Sequence, residues 1–163
     1  MTQVQLSDPS SVRIAFIQAS WHKDLVDQIW TGFTDVASEA GIAEAQLDRF
    51  ELPGAFEIPL HAKRLAETGQ YDAVVAAGLV VDGGIYRHEF VAQAVIDGLM
   101  RVQLDAGVPV FSIVLTPHHF HEHPEHTNYF ATHLLQKGAE GARAAIATVA
   151  SLQSLDAATA AHA

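Results

Sequence analysis

The chain has 163 residues, with 9 Lys and Arg against 19 Asp and Glu, a formal net charge of −10 and no cysteine. That length fits one domain able to bury about two-thirds of its unfolded surface. The missing cysteines exclude disulfides, thiolate metal sites and a thiol nucleophile, and the acidity excludes a general phosphate-backbone binder. A share of 49% hydrophobic residues with 17% charged is too apolar for a disordered chain and points to an oligomer that hides extra surface. Residues 1–11 lack the basic and apolar regions of a secretion signal. No run approaches the ~20 apolar residues of a membrane helix. The expectation is one cytoplasmic domain over residues 1–163, ordered from about 12 to 152 and mobile at 1–11 and 153–163.

Four β-rich runs alternate with helical stretches. Residues 12–19 form the first run and 46–51 a weaker, mixed second. Residues 73–81 and 108–115 are the third and fourth. The first, third and fourth are nearly continuous apolar segments, the pattern of strands covered on both faces. Helices are predicted over 24–40, 55–68, 88–106 and 127–152, the first three ending at Gly41, Gly69 and Gly107. Gly138 and Gly141 weaken the middle of the last. The order β-α-β-α-β-α-β-α predicts an α/β three-layer sandwich, a four-stranded parallel sheet with helices on both faces. The helix over 88–106 has two apolar faces, Val91, Val95, Leu99 and Val102 on one and Ala92, Ile96 and Met100 on another. Its own sheet covers one face, and a neighbouring subunit suits the other.

In an open parallel sheet, ligands bind beyond the carboxyl ends of the strands. Four segments are therefore singled out. Ser20-Trp21-His22 follows the first strand. Trp21 and Trp30 read as core, although an indole at a strand end can stack on a flat ring. After the second strand, Pro53-Gly54-Ala55-Phe56-Glu57 closes onto a helix start, either a plain turn or a place where free N–H groups meet a ligand. After the third, Asp82-Gly83-Gly84 can form a nest for an anion. Arg87 beside it can pair with phosphate and His88 can move protons near neutral pH. After the fourth, residues 118–126 hold five histidines in nine positions. Their spacing matches no closed metal site, and Pro124 interrupts a continuous helix. The segment reads as a polar loop over the pocket, with zinc or nickel binding as the minority alternative.

Pro53-Gly54-Ala55-Phe56-Glu57-Ile58-Pro59 resembles the signature of the 6,7-dimethyl-8-ribityllumazine synthase family. Lys63-Arg64-Leu65-Ala66, Tyr71-Asp72-Ala73-Val74-Val75, Gly98-Leu99-Met100, Gly107-Val108-Pro109-Val110, Leu115-Thr116 and Lys137-Gly138 fit the same family in the same order. The resemblance implies a flavodoxin-like sandwich assembled into pentamers, with sites between neighbouring subunits and no metal or redox cofactor. It implies condensation of 5-amino-6-(D-ribitylamino)uracil with 3,4-dihydroxy-2-butanone 4-phosphate, the penultimate step of riboflavin synthesis.

Roles carry over by position. Trp21 takes the place of the aromatic stacked on the pyrimidine, with His22 in place of an asparagine beside it. Ala55, Phe56 and Glu57 match the segment holding the ribityl chain and ring. Leu79, Val80 and Val81 match the strand end that meets the uracil, Gly84 and Ile85 the phosphate-side loop, and Lys137 a lysine near the site. Departures are coordinated. Aligned on Glu89-Phe90-Val91, the catalytic histidine falls on Arg87, with His88 one step late. The phosphate-binding arginine falls on His126, the neighbour's aromatic on Ser112, and the loop threonine on Ile85. Such a set resembles the divergent type II class, which forms decamers of two pentamers. A low-activity or non-catalytic relative that binds flavins or lumazines is the alternative.

Overall fold

A computed structural model describes residues 5–118, 120 and 123–161, with the backbone alone for 124–126. Strand β1 (Ile14–Ala19) leads to helix α1 (Lys23–Glu39), β2 (Leu47–Leu52), a 3-10 turn (Ala55–Glu57) and α2 (Ile58–Ala66). Then come β3 (Ala73–Leu79), α3 (His88–Ala106), β4 (Val110–Leu115) and α4 (Pro124–Ala160). All pairs are parallel and the sheet order is β2-β1-β3-β4, the flavodoxin-like layout. Among the described residues, no helix is long and apolar enough to cross a membrane.

Alternation along the strands divides the core in two. Ile14 and Phe16 of β1, with Val75 and Ala77 of β3, pack under α1 and α4. Ala15, Ile17 and Ala19, with Val74 and Ala76, pack under α2 and α3. Every residue of β1 and β3 is buried, as their apolar runs predict. The fourth run departs from that expectation. Because β4 is the sheet edge, its Ser112 is exposed and Phe111 and Leu115 are only partly covered.

Helix α3 spans the predicted residues, and Gly107 at φ 68° closes it by donating its N–H to the Gln103 carbonyl at 3.0 Å. Val95, Gly98, Leu99 and Val102 face the sheet, while Ile96, Met100 and Leu104 stand in solvent, Leu104 at 73% exposure. The second apolar face is thus uncovered in the single chain. Helix α2 is shorter than the expected 55–68, because residues 55–57 turn as a 3-10 segment first.

Helix α4 departs most from expectation. It begins at Pro124, which sits in the first turn where a missing N–H leaves no bond unmade. It also continues past residue 152 to Ala160. The two glycines that weaken its middle in sequence terms are contact points. A Cβ on Gly138 would fall on the Ile29 carbonyl of α1, one on Gly32 of α1 on the Leu135 carbonyl, and one on Gly141 on the Ile113 side chain. Gly138→Ala must therefore push two helix backbones apart and should cost about 1–3 kcal/mol. Gly83→Ala, where a Cβ meets open space, should leave thermal unfolding unchanged. Equal melting temperatures for both variants would contradict this crossing.

Candidate active site

Parallel pairing delivers the four strand ends to one edge of the sheet. The first loop stays on the ladder for one more residue, since Ser20 donates its N–H to the Leu52 carbonyl of β2 at 2.8 Å. His22 then turns at φ 53°, ψ 43°, and its carbonyl accepts the Leu25 and Val26 N–H groups that start α1. A non-glycine residue in this region is strained and persists only where its surroundings hold it. Trp21 lies in this turn and is 69% exposed. The core reading of Trp21 is therefore wrong, whereas Trp30 does pack in the core, edge-on to Phe16 at 5.0 Å.

The loop after β2 lies against Trp21. A Cβ on Gly54 would stand 3.8 Å from the indole nitrogen and 3.0 Å from Glu57 Oε2. Gly78 inside β3 allows this approach, because the space a side chain would fill is bordered by Ala19, Ala55 and Ile58. Phe56 and Glu57 are exposed, and Ala55 is half-buried. Leu79 and Val80 are buried, with the Val80 N–H donating to the Leu115 carbonyl at 2.9 Å, and Val81 packs beside the core.

The third loop is built around a carboxylate. Gly84, at φ 75°, donates its N–H to Asp82 Oδ1 at 2.7 Å. The nest amide expected to meet an anion is thus already bonded within the chain. His88 is half-buried, with Nδ1 3.9 Å from Asp82 Oδ1 and 3.7 Å from Glu89 Oε2. Arg87 points outward, donating to Glu89 Oε1 at 2.8 Å with its guanidinium 4.1 Å from the centre of the Phe90 ring. Hydrogen bonding from Arg87 holds the Glu89 carboxyl below its ordinary value. Ile85 and Tyr86 extend into solvent. From the fourth loop, Phe120 packs edge-on against His22 at 5.0 Å and reaches Phe130 of α4 at 5.1 Å.

Trp21, His22, residues 55–57, residues 79–81, Gly84, Ile85, Arg87 and His88 thus occupy one edge. Ser112 does not join them, being mid-strand on β4 opposite Ala76. Nor does Lys137, which lies where α4 crosses α1 and donates to Glu140 at 2.6 Å. The His126 side chain, like His119 and His121, lies outside the described residues. Among the described residues, no cluster of His, Asp and Glu could hold a metal.

Sequence reasoning missed a buried polar cluster at the junction of β1, α1 and β2. Gln18 is fully buried. Its Oε1 accepts from Arg49 Nε at 3.1 Å and Nη2 at 2.6 Å, and its Nε2 donates to Asp27 Oδ1 at 2.7 Å. Arg49 also pairs with Asp27, and Lys23 bridges Glu51 at 2.5 Å and Asp27 at 3.3 Å. Burial works to raise the Asp27 carboxyl, but hydrogen bonds from Gln18, Arg49 and Lys23 outweigh it and lower the group below its ordinary value. A single glutamine inside an apolar strand was the available signal.

A doubly wound sheet that opens aromatic and charged loops at the β1/β3 switch point defines a flavodoxin-like domain with a small-molecule site. The sequence pattern of the 6,7-dimethyl-8-ribityllumazine synthase family matches residues 11–153, and the chain belongs to that family. It is 68% identical over 135 residues to the 6,7-dimethyl-8-ribityllumazine synthase of Rhodococcus erythropolis, covering 83% of this chain and 87% of that protein. With 6,7-dimethyl-8-ribityllumazine synthase 2 of Pseudomonas syringae pv. tomato it shares 62% over 128 residues, 78% of this chain and 75% of that one. The corresponding synthase of Paenarthrobacter aurescens is 42% identical over 116 residues, covering 71% and 70%.

A carboxyl lowered in the folded state contributes stability above its unfolded value, lost as pH falls through the folded one. Thermal stability should therefore decline as pH drops below about 4, the ordinary carboxylate value. Asp27→Asn should be less stable at neutral pH and should show a shallower acid decline. Parallel pH profiles for the two proteins would show that Asp27 titrates alike folded and unfolded.

Proposed function

We propose that this edge joins the amine of 5-amino-6-(D-ribitylamino)uracil to the ketone of 3,4-dihydroxy-2-butanone 4-phosphate. An imine forms with loss of one water, the phosphate leaves, and the ring closes with loss of a second water to give the lumazine. The observation that carries this reading is Trp21, an exposed indole held at the switch point beside the Gly54–Glu57 segment. Its face is a platform for the pyrimidine. Ala55, Phe56 and Glu57 hold the ribityl side, and the backbone of residues 79–81 meets the uracil.

In this reading His88 carries protons between amine, imine and leaving oxygen. It faces the loop across from Asp82, while Arg87 is held by Glu89 and Phe90. Arg87 holds the phosphate from the loop's outer side when Glu89 releases it. Asp82 and Glu89 make this side acidic, so phosphate affinity is weak and turnover slow, as suits the type II class.

The working form is a pentamer-based particle in the cytoplasm, a decamer of two pentamers. The exposed Ile96, Met100 and Leu104 of α3 support this, as does a groove of about 410 Å³ between α2 and α3 floored by Pro59 and Gly98. The open β4 edge carries Ser112 outward, where it can serve a neighbour's site.

Mixing the two substrates should give lumazine absorbance with one phosphate released per ring. Binding of lumazine without phosphate release would instead favour the non-catalytic alternative. Trp21→Ala should weaken pyrimidine binding by about 1–3 kcal/mol, roughly five- to a hundredfold, with little change in melting temperature. His88→Ala should lower kcat by about a hundredfold or more. Arg87→Ala should raise KM for the phosphate substrate. Wild-type pH–rate behaviour in His88→Ala would assign His88 to structure. Sedimentation as a monomer at micromolar protein would contradict the particle.

A further inference from the structure

A second polar cluster sits where β1, α1 and β2 meet. Gln18 projects from β1 toward α1, the side where Ile14 and Phe16 are packed in hydrocarbon. A buried amide there is unfavourable unless bonded. Gln18 is bonded, with both oxygen lone pairs taken by the Arg49 fork and its amide nitrogen given to Asp27. Three elements are thereby closed into a triangle. Gln18 is next to the last residue of β1, Asp27 lies one turn into α1, and Arg49 comes from β2.

Trp21 needs such a base. Trp21 is 69% exposed and touches little beyond the Gly54 loop, so its direction depends on the backbone of the turn. That backbone includes His22 in the left-handed region with no side-chain cap on the helix it starts. The two ends of the turn, the tip of β1 and the first turn of α1, are the segments that Gln18 and Asp27 join.

We propose that Gln18, Asp27 and Arg49 are positioning residues for substrate, acting through the Trp21–His22 turn to set the plane on which the pyrimidine lies. This rests on the reading of Trp21 as the stacking platform. None of the three need touch substrate. The phosphate-side loop, on the far side of the switch point, has its own support in Asp82. Loosening the cluster should therefore affect one substrate and spare the other.

The test is steady-state kinetics, with each substrate varied in turn, on the wild type, Gln18→Leu/Arg49→Met, Trp21→Ala and the triple variant. Replacing bonded polar partners together by apolar side chains of similar volume often preserves stability. The double variant leaves Asp27 paired with Lys23 alone, so its Tm should fall modestly, and it should raise KM for the ribitylaminouracil on the order of tenfold, as small misplacements do. KM for the phosphate substrate should stay within about twofold. In the triple variant the two effects should not add, because the cluster acts through Trp21. If the apolar pair fails to fold, Arg49→Lys, which keeps the charge and loses the fork, should show the same split at smaller size. Equal shifts in both KM values, or full additivity with Trp21→Ala, would assign the cluster to stability and overturn the proposal. An unchanged pyrimidine KM in the cluster variant, with a raised one in Trp21→Ala, would overturn the positioning role alone. An unchanged pyrimidine KM in Trp21→Ala would overturn the platform reading and this proposal with it.

Discussion

Because β1 pairs in parallel with β2 on one side and β3 on the other, every strand leaves the sheet at the same edge. From β1 the chain passes by α1 to β2, and from β2 by α2 to β3 on the opposite side of β1. The loops after β1 and β3 consequently diverge to opposite faces and leave a crevice between them. Chemistry placed on Trp21 and on residues 82–88 follows from that one arrangement. The two-sided burial of β1 and β3 makes it cooperative, since neither strand can shift without exposing both half-cores.

Much of this was legible in the sequence. Continuous apolar runs gave β1 and β3, the αL glycine after residue 106 fixed the end of α3, and its second apolar face emerged uncovered as expected. What was not legible depended on partners distant in sequence. Gly138 and Gly141 lower helix propensity locally, but they are what allows α4 to approach α1 and β4. Pro124 reads as a helix breaker until it is seen to occupy a first turn. Trp21 and Trp30 differ in place, the first exposed in the β1–α1 turn and the second inside α1 against Phe16.

The site shows a similar division. Strand-end logic and the signature around Pro53 located the edge, but not the occupancy of its groups. Two glycines after Asp82 suggested an anion nest, yet the carboxylate of Asp82 itself accepts the Gly84 amide. Arg87 and His88 are adjacent in sequence but differ in setting: Arg87 is exposed and bonded to Glu89, while His88 is half-buried between Asp82 and Glu89. Ser112 and Lys137 stand apart from the edge, one mid-strand on β4 and the other where α4 crosses α1. The most polar cluster of the core, around Gln18, left only one glutamine as its sequence trace.

The claim that this edge is where the lumazine ring forms is tested most directly by a crystal structure of the assembled protein with a lumazine or substrate analogue bound. The account predicts the ring stacked on the Trp21 indole, its ribityl chain along residues 55–57 and its phosphate-side atoms toward residues 82–88. A ring bound in the α2/α3 groove, with Trp21 free in solvent, would contradict it.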